Sequence, residues 1–364
     1  MADFVLVTHT RWSEAPRVRH QIARLLRDVG HRVLFLERAS QLGRAPAENL
    51  SEAEPGITLA RPTRLFHHQI RVLPTMHHIN AAHVGPQLAA IAASWGADPN
   101  CTVVNFMHDG WYLREVFAGS RLLTVIHDDF EAQSRLPFAA HITWSLSRTC
   151  RVSDEVFALS ESLVRRLSAW SMPKLFLPWT TTPYQPPVDN TIGRDTLLFW
   201  GFVDNAIDLD VVRGLSLHLA ATRPSWRLAF VGPTQTRGAR QRIAKALGAL
   251  PNTELHGMTA LNDLALDRTV AAILPYRRTR ALDSVTLANK SMQLLARGLP
   301  LVISGMPGFL QKEFILRMDG ASGIEPALNA LEAGFMGFQP SIKAWCNENS
   351  PDSRLRLLGV ERAN

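Results

Sequence analysis

Residues 271–278 read Ala271-Ala272-Ile273-Leu274-Pro275-Tyr276-Arg277-Arg278, and residues 289–304 read Asn289-Lys290-Ser291-Met292-Gln293-Leu294-Leu295-Ala296-Arg297-Gly298-Leu299-Pro300-Leu301-Val302-Ile303-Ser304. The first stretch is an apolar run closed by a proline and followed by an aromatic ring and two cations, which predicts a buried strand with a charged carboxyl end. The second carries Lys290 in the first turn of a helix, stops that helix at Gly298, and resumes an apolar run after Pro300. Strand, loop, helix and strand in this order form a crossover unit whose strands run parallel. Ligands of parallel sheets bind beyond the carboxyl ends of the strands, where Tyr276, Arg277 and Arg278 stand. A helix N-terminus presents unpaired N–H groups and partial positive charge to an anion, and Lys290 adds a full charge there. The combination suits a diphosphate. Solvated basic residues at a strand end are the plainer reading of this stretch alone.

The same alternation extends in both directions. Upstream, strands are expected at Thr196–Trp200, Arg227–Val231 and Thr253–His256, with a helix over Leu209–Ala221. In the first half, Phe4–Thr8 and Arg32–Glu37 flank an amphipathic helix, Val18–Val29, with Gly30 at its end. Further strands follow at Thr102–Met107, Arg121–Ile126, Glu155–Leu159 and Lys174–Leu177, and Ser160 is placed to cap a helix over Ser160–Trp170. Residues 40–80, with Pro46, Pro55, Pro62 and Pro74 and the pairs His67-His68 and His77-His78, read as an excursion from the sheet. Pro183, Pro186 and Pro187 can continue neither a helix nor a central strand, so the stretch after Leu177 is the expected linker. The chain is therefore read as α/β, with two doubly wound Rossmann-like halves, 1–183 and 190–345, and the default site in the cleft between them.

With 364 residues, 46% hydrophobic and 20% charged, the composition is globular and fits two domains, which excludes disorder as the main state. Three widely spaced cysteines, Cys101, Cys150 and Cys346, give no disulfide framework and no metal spacing, and fit a reducing cytoplasm. No apolar run reaches the ~18 residues of a membrane span, and Met1-Ala2-Asp3-Phe4 leads into a strand without a basic signal region. The formal charge is +7, but residues 1–185 hold 19 basic and 16 acidic side chains, so the excess is spread along the chain. That spread argues against a nucleic-acid stripe. It permits an anionic ligand or loose peripheral contact with anionic lipid of the inner membrane.

Pro275-Tyr276-Arg277 followed by Lys290, Gln293, Leu295, Ala296, Gly298, Pro300 and Val302 resembles the donor-site segment of GT-B-fold, nucleotide-sugar-dependent glycosyltransferases of the retaining, family-4-like group. Gly201 with Asp204 and Asp208-Leu209-Asp210, Arg223-Pro224-Ser225-Trp226 with Phe230-Val231-Gly232-Pro233, and Pro251-Asn252 with His256-Gly257 follow in that family's order. In the first half, Trp12, Arg17, Arg19, Gln21 and Gly30-His31-Arg32-Val33 resemble the opening of bacterial polysaccharide glycosyltransferases. The resemblance spans most of the chain and is weakest over 40–100. It implies two facing Rossmann-like domains, the second holding a nucleoside diphosphate sugar, uridine type first, and the first holding a saccharide or lipid-linked acceptor. It also implies retention at the anomeric carbon, and a C-terminal helix, 350–364, that crosses back to the first domain.

On that resemblance Lys290 and Arg277 or Arg278 neutralise the departing diphosphate. Gly201, Gly232 and Pro233 line the nucleotide pocket with Tyr276, and Gln293 reaches the ribose diol. The family carries glutamate at Gln293, its upstream acidic partner falls on Val285 or Thr286, and the Gly201 loop lacks a basic residue, so more weight rests on Lys290. His127, Asp128 and Asp129 end a strand of the first half. His127 is expected against the donor sugar and Asp128 or Asp129 near the acceptor as general base, with capping of the next turn as the alternative for Asp129. His9, Arg11 and Trp12 after the first strand, and His108, Asp109 and Trp111 after another, are expected at the acceptor, with packing as the alternative for Trp111 and capping for Asp109. Eleven of the thirteen histidines lie within residues 9–141. His108-Asp109 with His127-Asp128-Asp129 would be the metal reading, but no spacing supports it and neither metal nor cofactor is expected. The rival readings are a nucleotide-sugar epimerase or hydrolase of the same fold and a non-catalytic scaffold subunit.

Overall fold

The computed structural model describes the chain except residues 15, 42–49, 68–69, 135–138, 188–192, 235–238 and 364, so Pro46 and His68 lie outside the described residues. The chain divides into two compact units, Met1–Leu177 with Pro351–Asn364, and Pro178–Ser350.

The strands of the first unit are β1 (Asp3–Val7), β2 (Arg32–Leu36), β3 (Ser40–Gln41), β4 (Ser51–Glu54), β5 (Ile57–Ala60), β6 (Thr63–Arg64), β7 (Thr102–Asn105), β8 (Arg121–Ile126), β9 (Glu155–Ala158) and β10 (Lys174–Leu175). Its helices are α1 (Val18–Asp28), α2 (Pro74–Trp95), α3 (Leu113–Val116), α4 (Ala140–Val152) and α5 (Glu161–Leu167). Eight strands form one sheet in the order β10-β9-β8-β7-β1-β2-β5-β4, all parallel but the β4–β5 pair. Every residue of β1 is buried, as a strand covered on both faces requires. Ile22, Leu25 and Leu26 of α1 are buried on one face of that helix. The chain runs outward from β1 through β2 and β5, then returns to β7 on the other side of β1. Strand order therefore reverses between β1 and β7, and their carboxyl ends, at Thr8-His9 and Phe106-Met107, open the crevice where such sheets bind ligands.

Two expectations are revised. The described part of residues 40–80 is an excursion only in part: β3 and β6 pair with each other apart from the main sheet, but β5 pairs with β2 (Val33↔Ile57, Leu36↔Ala60) and β4 forms the sheet edge. Ser51 and Glu52 are exposed at that edge while Ile57 and Ala60 are buried, so no continuous apolar run marks these strands. Pro74 opens α2 at its first helical position, where no N–H is needed. The proline-rich stretch after Leu177 does begin at the boundary between the units, but it is ordered. It is packed into the second unit: Gln185 N–H donates to Ala296 O at 2.7 Å, Tyr184 Oη–H to Gln339 Oε1 at 2.8 Å, and Trp179 is 1% exposed. Proline forbids regular pairing, not an ordered strap, and the second unit begins with this strap at Pro178.

The second unit comprises β11 (Thr196–Trp200), β12 (Arg227–Val231), β13 (Thr253–His256), β14 (Thr269–Pro275), β15 (Leu301–Ser304) and β16 (Ile315–Arg317). Its helices are α6 (Leu209–Thr222), α7 (Ala239–Gly248), α8 (Arg280–Asp283), α9 (Asn289–Ala296), α10 (Ile324–Gly334) and α11 (Gln339–Glu348). The sheet is wholly parallel, in the order β13-β12-β11-β14-β15-β16. Phe199, Phe230 and Ile273 are fully buried in its core, and Asp208 caps α6 by accepting from the N–H groups of Asp210 (3.1 Å) and Val211 (3.3 Å). Order reverses between β11 and β14, so Gly201 and Tyr276 stand at the switch point. After α11 the chain rejoins the first unit through α12 (Pro351–Leu358): Arg354 Nε donates to Leu177 O at 2.8 Å and Arg121 Nη1 to Leu358 O at 2.9 Å.

Candidate functional site

In the second unit the site is built from backbone. Gly201 follows β11 with φ +146° and Gly232 follows β12 with φ +154°. A Cβ on Gly232 would overlap the carbonyl oxygen of Gly201, and one on Gly201 would stand 2.8 Å from Lys290 Nζ. Only glycine lets the two turns and the lysine approach this closely. Lys290 is the second residue of α9, whose N-cap, Ala288, supplies no side-chain cap. Its ammonium donates to Trp200 O at 3.1 Å and lies 4.3 Å and 4.9 Å from the ring centroids of Phe199 and Tyr276. No carboxylate stands within ion-pair distance among the described residues. Burial therefore pushes Lys290 down to about 7, with Asp204 opposing only from farther away. Asn289 Oδ1 and Ser291 Oγ, on either side, are buried without hydrogen-bond partners among the described residues. A half-charged ammonium and unpaired polar atoms at an uncapped helix start form a cradle for an anion.

The other residues expected at the donor differ in how they are held. Tyr276 is half-buried, and burial raises its hydroxyl pKa, so it stays neutral. Arg278 is exposed and pairs with Asp283 at 2.9 Å. Arg277 is exposed, its N–H bonded to Ala206 O at 2.8 Å. Gln293 accepts from Thr181 Oγ1 at 2.7 Å and donates to Trp179 O at 3.3 Å, so it already holds the proline-rich strap. Pro233 accepts from Val203 N–H at 3.2 Å. Gly305, which sequence reasoning missed, follows β15 with φ +71°, and a Cβ there would overlap Tyr276 O.

In the first unit a pocket of ≈ 250 Å³ lies at the carboxyl ends of β1, β7 and β8 and the start of α1. His9, His108, His127 and Asp128 line it, as expected candidates, together with Arg17, Arg19 and Arg38. Asp109 stands behind His9, with Oδ1 3.1 Å from His9 Nε2, and forms an ion pair with Arg71. Asp109 and Arg71 are both buried, at 2% and 3% exposure. Burial opposes ionisation of Asp109, but Arg71 and the neighbouring histidines hold its carboxyl well below the usual carboxylate range. Asp109 is thus the frame of the pocket, not its lining. Burial drives His108 down to about 3, and its Nδ1 lies 2.9 Å from Ser145 Oγ. His127 is likewise held far below its ordinary value, by burial and then by Arg19, whose Nη1 is 2.8 Å from Nε2. Asp128 is raised by burial, with Arg19 and Arg17 opposing, so it can exchange a proton nearer neutrality than an ordinary aspartate.

The remaining candidates are engaged elsewhere. Asp129 Oδ1 accepts from Ala132 N–H at 2.9 Å and from Arg166 at 2.8 Å, which is the capping alternative. Trp111 is buried beneath Arg148, 4.2 Å from its ring centroid, and beside Trp144, which is the packing alternative. Trp12 packs against His20 and Phe35 at 5.2 and 5.0 Å, and Arg11 is exposed with its carbonyl accepting from His20 Nε2. Sequence reasoning misses Arg71 because the irregular stretch around it carries no periodic signal. It gives Arg19 no role of its own; the signal is a basic first turn where acidic residues are the rule. Among the described residues no group of three or more His, Cys, Asp or Glu is placed to hold a metal.

No family model and no curated protein matches the chain in sequence. Solved structures do match it in shape. A sucrose-phosphate synthase from Thermosynechococcus elongatus superposes with a TM-score of 0.70 at 14% identity, over 99% of this chain and 98% of that one. The chain has the GT-B fold. A UDP-forming α,α-trehalose-phosphate synthase from Burkholderia xenovorans, in complex with glucose-6-phosphate, matches this GT-B chain with a TM-score of 0.67 at 12% identity, over 98% of both chains. The lipopolysaccharide outer core galactosyltransferase WaaB matches it with a TM-score of 0.63 at 11% identity, over 98% of both. No helix among the described residues is long and apolar enough to cross a membrane.

Proposed function

We propose that the protein is a glycosyltransferase that moves a sugar from a nucleoside diphosphate sugar, of the uridine type, to a hydroxyl of a saccharide or lipid-linked acceptor with retention. The observation that carries this reading is Lys290: a cation at a switch point, held by one carbonyl and two aromatic faces, with no carboxylate partner among the described residues. A diphosphate supplies the missing charge. As the sugar–oxygen bond breaks, negative charge grows on the leaving diphosphate, and Lys290, regaining its proton, stabilises it where that charge develops. Arg277, exposed beyond β14, adds a second cation. The turns at Gly201 and Gly232 let backbone reach the nucleotide. One structural neighbour, the trehalose-phosphate synthase, is UDP-forming, which supports the choice of nucleotide.

On the acceptor side Asp128 lines the pocket with a raised pKa and is our choice for the group near the acceptor hydroxyl. His127, neutral and ordered by Arg19, serves as a hydrogen-bonding contact to sugar. The test is release of nucleoside diphosphate from a panel of nucleoside diphosphate sugars, with and without saccharide and lipid-linked acceptors. Acceptor-dependent release that falls on the order of a hundredfold in Lys290→Ala is expected. Release with free sugar in the absence of acceptor would favour the hydrolase reading, and no release with any donor would overturn the proposal.

A further inference from the structure

We propose that the pocket of the first unit receives a phosphate group carried by the acceptor, so that the preferred acceptor is a phosphate-bearing molecule rather than a neutral sugar. This rests on the glycosyltransferase reading above. Arg19 lines the pocket at 4% exposure. Its Nη1 reaches an imidazole nitrogen, and its Nε is buried with no hydrogen-bond partner among the described residues. Nor does any carboxylate among them lie within ion-pair distance of it. Glu14, on the loop before α1, is taken by Arg38 at 2.7 Å. A buried guanidinium that, among the described residues, bonds a neutral ring while Asp128 and Glu14 act on it from beyond ion-pair distance is an incomplete arrangement, because burying a charge is costly unless an opposite charge answers it closely.

The local sequence points the same way. The first turn of a helix ordinarily carries acidic side chains, which its positive dipole end favours. The first turn of α1 has none, and Arg17 stands at its N-cap with Arg19 two positions on. Two cations at the positive end of a helix oppose the local rule, and such breaches concentrate at functional sites. At that helix start the N–H groups of Arg17, His20 and Gln21 are bonded within the turn, so the open donors of the first turn, among the described residues, are those of Val18 and Arg19. The histidines lining the pocket add donors but no charge, since burial holds each of them below its ordinary value. Among the described residues lining the pocket, three arginines, Arg17, Arg19 and Arg38, thus face two carboxylates, Asp128 and Glu14, and Glu14 is paired with Arg38. A phosphate monoester, with up to two charges and three acceptor oxygens, suits two guanidinium forks and a helix start. The volume of ≈ 250 Å³ falls just under the ~300–1,000 Å³ of small-molecule sites, which is room for a sugar phosphate or one phosphorylated headgroup.

The test is calorimetric titration of the full chain with glucose 6-phosphate, inorganic phosphate and glucose, and sedimentation with phosphatidylcholine vesicles with and without phosphatidic acid. It uses the wild type, Lys290→Ala, Arg19→Gln and Arg17→Gln; Arg17 is exposed, so its variant tests charge without disturbing the core. Glucose 6-phosphate is expected to bind at least about tenfold tighter than glucose to the wild type and to Lys290→Ala alike. That preference should vanish in Arg19→Gln and shrink in Arg17→Gln. Arg19-dependent binding of phosphatidic acid vesicles alone would also support the proposal and place the phosphate on a lipid headgroup. Equal affinity for glucose and its phosphate, without such vesicle binding, overturns it. So does a preference that survives both arginine variants or is lost in Lys290→Ala. Titration of the same samples with UDP reports on the donor reading separately, so the two cannot fail unnoticed together.

Discussion

The two sheets reverse their strand order at equivalent places, β1 against β7 in one unit and β11 against β14 in the other, yet they fill the crevice with different materials. In the second unit the crevice is shaped by backbone: two glycine turns in contact, one carbonyl, two aromatic faces and a single cation. In the first it is shaped by side chains from distant segments: Arg19, His127 and Asp128 around the pocket, with Arg71 and Asp109 locked beneath His9. Each places at its crevice a cation, half-buried Lys290 or buried Arg19, without a carboxylate partner among the described residues. The difference lies in how each cation's surroundings are held. Backbone recognition tolerates few substitutions, while an ionic frame is strong only when every partner is present.

That contrast can be broken first at Asp109. Replacing it with alanine leaves Arg71 buried without its counter-charge, and should cost about 3–5 kcal/mol in urea unfolding. A cost under about 1 kcal/mol would mean that the pocket does not depend on an ionic frame. Gly232→Ala should cost at least about 2 kcal/mol, because the new Cβ meets the Gly201 carbonyl at a φ that side chains rarely adopt. Diphosphate binding should go with it; retention of both in denaturant and titration experiments would show that the second crevice is not set by its backbone.

A third test separates the two cations by titration. Lys290 sits at about 7 in the ligand-free protein against an ordinary value of 10.5, whereas Arg19, though lowered to about 10, stays charged. The folded protein thus binds fewer protons at Lys290 than the unfolded chain between these two values, and this group's contribution to stability rises with pH through that window. A diphosphate favours the charged form, so binding near pH 8 should take up close to one proton. Affinity should fall by up to about tenfold per pH unit above 7. Calorimetry in buffers of different ionisation enthalpy reads the uptake directly; binding without it would remove Lys290 from the site. The smallest expected effect is Asp129→Ala, about 1 kcal/mol from a lost turn cap and a partly exposed pair with Arg166. A larger loss would make Asp129 part of the frame that Asp109 holds.

The same contrast explains what was legible in the sequence. Gly201, Gly232 and Lys290 stand at turns and a helix start that the strand–helix alternation locates, and the family resemblance gave them their expected roles. The strand–helix frame of both units followed from apolar runs and end signals such as Gly30 and Gly298. The strands β4 and β5 did not, because Ser51 and Glu52 are exposed and only Ile57 and Ala60 are buried. The ionic frame was not legible either. Arg71 and Asp109 are 38 positions apart in sequence, and nothing in local pattern pairs them. Asp129 and Trp111 carried the right chemistry for a site, and only the third dimension shows one bonded to Arg166 and the other packed under Arg148.

The most direct test of the central claim is thermal unfolding of the wild type and of Lys290→Ala with a panel of nucleoside diphosphates. A ligand at 100 times its dissociation constant should stabilise the wild type by about 2.7 kcal/mol. UDP is expected to do so, the shift to disappear in Lys290→Ala, and the ligand-free variant to unfold no earlier than the wild type, since a half-buried cation without a carboxylate partner among the described residues has been removed. Equal stabilisation of both proteins, or no stabilisation by any diphosphate, would contradict it.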